Sequence, residues 1–186
     1  DDVLELSETS MIDGVVDLGD GDDGVLLAFS DGVTTGTGAL ATTVNAEGLF
    51  VQSGNWRAEG PQSGYALVEI AEGSTLTVVE NDDGELAVAT GAVALEGALR
   101  LELSADETEG DLGETTIAGA GSLHLVGTAN VELTDATGLQ HTGGKFVENG
   151  ELLINTVYGG DITTSGEGVF EIGEAGDFTG NLVNDG

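Results

Sequence analysis

The sequence has no cysteine, a single proline, a single tryptophan and only three basic side chains, Arg57, Arg100 and Lys145. Without cysteine there is no disulfide framework, no thiol nucleophile and no thiolate zinc site. Three cations against thirty-five Asp and Glu leave a formal net charge of -32. Such a surface repels nucleic acid and anionic lipid headgroups, which are recognised by Lys and Arg neutralising phosphate. Nucleic-acid and membrane-surface binding are therefore rejected. No apolar run approaches the roughly 20 residues of a membrane helix, so membrane insertion of this segment is not expected. The chain opens at Asp1 with neither an initiator Met nor an apolar leader, the form of a processed secreted chain. An extracellular or bacterial cell-surface location is expected.

Extreme acidity with few apolar residues would mean disorder, but 39% of the residues are hydrophobic and they alternate in order. The chain is expected to fold, with self-repulsion that salt or divalent cations relieve. Thirty-two scattered glycines argue against helix, since each interior glycine costs about 1 kcal/mol relative to Ala. The apolar period is two instead. Strand-like runs fall at Val15-Leu18, Val25-Phe29, Leu49-Val51, Ala66-Ile70, Leu76-Val79, Leu86-Val88, Leu99-Leu103, Leu123-Val126, Val131-Leu133, Leu152-Ile154 and Val169-Ile172.

The spacing of these runs, roughly 6–10 residues from about residue 67 onward, fits a β-solenoid or an antiparallel β-sandwich. Hairpin signals exist at Asp31-Gly32, Asp83-Gly84 and Asn149-Gly150. Most connections, however, are small-residue corners such as Gly-Ala-Gly at 119–121 and Gly-Gly at 143–144. A solenoid needs three such corners per coil of about 24 residues, and its coils repeat because no single coil buries its own core. We therefore expect one all-β domain over 1–186, less regular over 1–66 and more clearly repetitive over 67–186. A parallel β-helix is the preferred fold and the β-sandwich the alternative. In such a coil the apolar residues point inward while Arg100, Glu102, His124 and Glu132 face solvent.

The stretch from about Gly73 to Gly186 contains "GSTLTVV", "GALRLEL", "GAGSLHLVG", "GKFVENGELLIN" and "GDFTGNLVNDG". These degenerate Gly-x-Leu-x-Val/Leu units, with a corner at Phe178-Thr179-Gly180-Asn181, resemble the passenger regions of bacterial autotransporter adhesins and related right-handed parallel β-helix surface proteins. The resemblance covers about three fifths of the chain. It implies a right-handed solenoid with a role in adhesion.

Four aspartates, Asp17, Asp20, Asp22 and Asp23, lie on a glycine-rich loop, and hard oxygen ligands on a flexible loop are what calcium requires. The EF-hand register fails there, and only one copy of a β-roll-like element is present, so a solvated acidic turn is the competing reading. Asn81-Asp82-Asp83-Gly84-Glu85 reads as a strand connection. Trp56, Arg57 and Tyr65 form the one aromatic-polar cluster, suited to stacking on sugars or anchoring a protein contact. Alternatively, Trp56 caps the end of the hydrophobic column.

His124 and His141 are read as surface residues, the second at a corner. No Gly-x-Ser-x-Gly elbow occurs. Carboxylate pairs such as Glu107 and Glu109, or Glu167 and Glu171, arise by chance among so many acids, although a glycosidase would use such a pair. The chain is thus expected to be no enzyme, with calcium as the candidate ion. It is expected to be an adhesive or structural module contacting a cell-surface glycan or protein. The alternative is a self-associating filament subunit, joined by addition of an unpaired segment such as Val3-Leu6 to the next subunit.

Overall fold

The computed structural model describes residues 2–12, 14–31, 33, 36–40, 42–59, 65–79, 91–103, 115–127, 130–133 and 139–186. No helix occurs among them. Strands wind instead into a parallel β-solenoid of about seven turns. The first face stacks Val3–Leu6, Gly24–Leu27, Gly48–Val51, Leu67–Ile70, Ala92–Leu95, Thr116–Gly119 and Leu139–His141 in that order. The second stacks Gly38–Leu40, Asn55–Glu59, Thr75–Val79, Ala98–Leu103, Ser122–Gly127, Lys145–Glu148, Ile162–Ser165 and Leu182–Asn184. Toward the C-terminus a third face appears, made of Asn130–Leu133, Glu151–Ile154 and Val169–Ile172. Two short pairs, Val16–Asp17 with Thr43–Val44 and Val157–Gly159 with Asp177–Thr179, complete the described ladders.

Every one of these pairings is parallel, which removes the antiparallel sandwich. Val3–Leu6 is not unpaired: it pairs in register with Gly24–Leu27, because its alternating Leu4 and Leu6 continue the inward rows of the next coil. Asn149-Gly150 is likewise not a hairpin. It turns the chain from Lys145–Glu148 on the second face to Glu151–Ile154 on the third, with Asn149 at a φ of 67°. Asp83-Gly84 and Leu86-Val88 lie outside the described residues, as does Gly32. Coil length is uneven: Ala98 pairs with Ser122, 24 residues on, but Lys145 pairs with Ile162 after only 17.

Alternation within each strand and register between strands together generate the core. On the first face Val25, Leu49, Val68, Val93 and Ile117 lie one above another, beside a row of Leu6, Leu27, Val51, Ile70 and Leu95. On the second face Trp56, Leu76, Leu99, Leu123, Lys145 and Ile162 form one row, and Ala58, Val78, Leu101, Leu125 and Val147 the next. The apolar members form one buried cluster running from Leu6 to Ile162. Each fully buried Val or Leu contributes about 1.5–3 kcal/mol, but only once its neighbours above and below exclude water.

The corner between the two long faces explains the glycine content best. Coils approach so closely there that a Cβ on Gly121 would lie 2.1 Å from the Gly97 carbonyl oxygen, and one on Gly143 would lie 1.6 Å from that of Gly121. Backbone hydrogen bonds fill the same corner. Gly97 N–H donates to Ile70 O at 2.9 Å, Gly121 N–H to Leu95 O at 2.8 Å and Ser122 N–H to Gly97 O at 2.8 Å. In the last coils Asn and Asp side chains take over part of this role. Asn149 Oδ1 accepts from Glu167 N–H, Asn155 Oδ1 from Ala175 N–H, and Asp161 Oδ1 from Asn181 N–H, at 3.0–3.1 Å.

Candidate functional site

The outward residues of the second face carry both arginines. Register places Arg57, Thr77, Arg100, His124 and Phe146 in one outer row, with Glu59, Val79, Glu102, Val126 and Glu148 beside them. The cations therefore stand in one row with a row of carboxylates beside them. Arg57 Nη1 donates to Glu102 Oε2 at 2.6 Å and its Nε lies 3.5 Å from Glu59. Arg100 sits 3.5 Å from Glu102 and 3.3 Å from Glu148. His124 ends the network, with Nδ1 3.5 Å from Glu148 and Nε2 3.0 Å from Ser122 Oγ. Its ring stacks on Phe146, centroids 4.6 Å apart and planes 13° from parallel. Partial burial holds the His124 pKa below its ordinary value; Glu148 opposes that shift and Arg100 reinforces it.

The third cation is inside. Lys145 occupies a leucine position in the row Leu99, Leu123, Lys145, Ile162 and is 1% exposed. Its ammonium donates to the carbonyls of His141 at 3.0 Å and Gly143 at 3.1 Å, and lies 4.6 Å from the centre of the Tyr158 ring. Burial lowers the Lys145 pKa to about 8, against an upward pull from Asp161. His141, also buried, donates through Nε2 to Gly121 O at 2.7 Å. Burial first, and then the charge of Lys145, hold its pKa down to about 4. Burial pushes the Tyr158 hydroxyl well up, and Asp161 adds to that. The cluster ties successive corners together.

Of the four aspartates read as a calcium loop, Asp17 and Asp23 are engaged in hydrogen bonds within the fold. Asp17 Oδ1 is occupied by Gly19 N–H at 3.0 Å and the Asn45 amide at 2.7 Å. Asp20 and Asp22 are exposed, whereas Asp23 is buried and accepts Asp2 N–H, its own N–H donating to Glu47 at 2.6 Å. Asp23 thus fastens one coil to the next. Among the described residues no three His, Asp or Glu side chains converge as metal ligands.

Trp56, Arg57 and Tyr65 are not gathered on one surface. Trp56 is fully buried at the head of its row, its indole packed edge-on against Phe29 at 5.6 Å and its Nε1–H donated to Ser53 O at 2.9 Å. Gly38 leaves it room, since a Cβ there would lie 2.5 Å from the indole. Tyr65 is buried as well, bonded through its hydroxyl to Thr43 Oγ1, and only Arg57 reaches the exterior. Alternation explains this: Trp56 shares the inward parity of Ala58, and Arg57 the outward parity of Asn55 and Glu59.

His141 is a correction to the corner-and-surface expectation, because as the last residue of Leu139–His141 it pairs with Gly119 and its ring is buried with Nε2 bonded to the Gly121 carbonyl of the preceding coil. Lys145 was missed, although two-residue alternation with buried Val147 signals it. Glu167 and Glu171 are exposed, and Glu107 and Glu109 lie outside the described residues. No protein-family model matches the sequence, nor does a curated protein or a solved structure.

Proposed function

We propose that the chain is a non-enzymatic structural or adhesive module of a bacterial extracellular surface protein, a stiff solenoid making many weak contacts along its length. The observation that carries this reading is the continuous inward aliphatic column with acids turned outward and both exposed arginines engaged in carboxylate pairs. Surface area presented at coil spacing favours multivalent contact over a single pocket. The acidic exterior fits a salty or calcium-containing medium, where cations screen the repulsion between coils. Beads bearing the purified chain should adhere to cells or immobilised surface glycans with a steep dependence on coating density. Soluble monomer should compete only weakly. Density-independent capture, or glycan cleavage by the purified chain, would overturn the reading.

A filament subunit is the second reading, favoured by open strand edges. At one end Val169, Ile172, Leu182 and Val183 remain about half exposed, and at the other Val3 is 73% exposed. A parallel edge is completed by another parallel strand, so copies would join head to tail. Sedimentation with added calcium discriminates between the readings: concentration-dependent polymers favour the filament, and an unchanged monomer favours the adhesive module.

A further inference from the structure

We infer that copies of the solenoid join head to tail through one defined contact: Asp177–Thr179 of one copy adds as a parallel strand to Val3–Leu6 of the next, and Leu182 closes over Met11 and Ile12. This joint rests on the filament reading and gives it a partner, a second copy of this chain, together with the residues that meet. Among the described residues no large apolar side chain between Val44 and Val157 is exposed, so the middle coils offer a partner little apolar surface. The two ends differ from them. At the tail, Ile172 and Leu182 hold the inward positions of Ile154 and Ile162 one coil earlier, which are wholly buried, yet they are 47% and 51% exposed. They are core residues without a covering coil. At the head, Val3 is 73% and Met11 95% exposed. Solenoid ends are soluble only under a polar cap, and neither end carries one over these side chains.

The strands at the two ends match in direction and parity. Among the described residues Val3–Leu6 is the first strand of its sheet and Gly38–Leu40 the first of the next, so each is paired along one edge only. Beyond Gly38–Leu40, Met11 and Ile12 form no strand and share with Ala39 and Leu40 a cleft of about 640 Å³. At the tail, Asp177–Thr179 and Leu182–Asn184 are likewise paired along one edge. Asp177–Thr179 precedes Leu182–Asn184 as Leu139–His141 precedes Lys145–Glu148, which is the first-face place in a coil. Set beside Val3–Leu6 it continues the parallel ladder, and Phe178, the ladder partner of buried Tyr158, comes to lie over the inward Leu4 and Leu6. Leu182, one strand further on, then meets Met11 and Ile12 at the cleft. Such a contact is heterologous and does not close on itself, so it repeats along a filament.

Charge sets the condition for the joint. Exposed Asp2 and Glu5 at the head face exposed Glu174 and Asp185 at the tail. Association therefore strengthens as salt screens them, the reverse of a contact made by ion pairs.

The test combines cross-linking with sedimentation of the purified full chain. Because the chain has no cysteine, Met11→Cys combined with Leu182→Cys introduces the only thiols. Treated with a short bis-maleimide in high sodium chloride, the double variant should give a ladder of covalent oligomers, and either single variant should stay monomeric on the same gel. In sedimentation velocity the wild-type chain should grow with concentration and with salt. Met11→Glu and Leu182→Glu should each raise the concentration needed for half-assembly about tenfold or more, since each buries a charge in the joint. Met11 is almost wholly exposed in the single copy, so its substitution leaves the fold intact even where that at Leu182 does not. Cross-linked dimers from Leu182→Cys alone would mean a tail-to-tail pair and overturn the joint. Polymers that persist in Met11→Glu, or a double variant without a ladder among sedimenting polymers, also overturn it while leaving the filament reading in place. A wild-type chain that stays monomeric at every salt and calcium concentration overturns both.

Discussion

Acidification should destabilise the solenoid chiefly through one side chain, His141, with His124 acting in the same sense in both wild type and variant. The ring is 2% exposed, and its pKa is held near 4 by burial and by Lys145, against an ordinary value of 6.5. Below pH 6.5 the unfolded chain binds a proton that the folded chain refuses until about pH 4, so stability falls as pH falls through that window. At 1.36 kcal/mol per pKa unit, the loss between pH 7 and pH 4.5 is about 2 kcal/mol. Carboxylate protonation near the same pH relieves the overall repulsion and acts in the opposite sense. That contribution is shared by a His141→Gln variant, whose side-chain amide keeps a donor for the Gly121 carbonyl but does not titrate. Urea unfolding followed by far-ultraviolet circular dichroism at both pH values isolates the histidine. The wild-type chain should lose about 2 kcal/mol more than the variant on acidification. Identical losses in both would refute the placement of a neutral, buried imidazole beside Lys145.

Other perturbations test the rest of the fold. Lys145 binds its proton less tightly when folded, so stability should rise by about 2 kcal/mol between pH 7.5 and 9.5, and the same titration of Lys145→Met should be flat. Gly121→Ala would push a methyl group against the Gly97 carbonyl and should cost about 3 kcal/mol or prevent folding, measured as the unfolding midpoint or soluble yield. Leu101→Ala should cost about 2–5 kcal/mol, whereas Leu182→Ala, half exposed at the last coil, should cost less than about 1 kcal/mol by the same assay. Sodium chloride should raise the melting temperature, because it screens the repulsion of 35 acids more than it weakens arginine pairs worth about 0.2–1 kcal/mol each. A fall in melting temperature with salt would show that the ion-pair ladder outweighs the repulsion.

Much of the winding was legible in the residues. Runs such as Leu99-Leu103 and Leu123-Val126 alternate cleanly, and their outward residues Arg100, Glu102 and His124 stand where alternation places them. Strands with weaker apolar signals, such as Gly38–Leu40, Ile162–Ser165 and Leu182–Asn184, were not legible, because stacking on a stronger neighbouring coil supplies what their own composition lacks. Residue chemistry misled where it competed with period. Trp56 and Tyr65 suggested a surface cluster beside Arg57, and His141 a corner, yet Trp56 and His141 follow the parity of their strands inward.

The local sequence determined the acidity, the absence of thiol chemistry, the extended backbone and the alternation of its side chains, because each is a property of single residues or near neighbours. The tertiary structure decided which runs stack, and therefore that the ladder is parallel, that Asp23 fastens coils rather than joining an exposed acidic cluster, and that Lys145 is buried. Those outcomes depend on contacts between residues about 20 positions apart, set by the register of whole coils, and local sequence carries no information about register until a neighbouring coil is in place to exclude water.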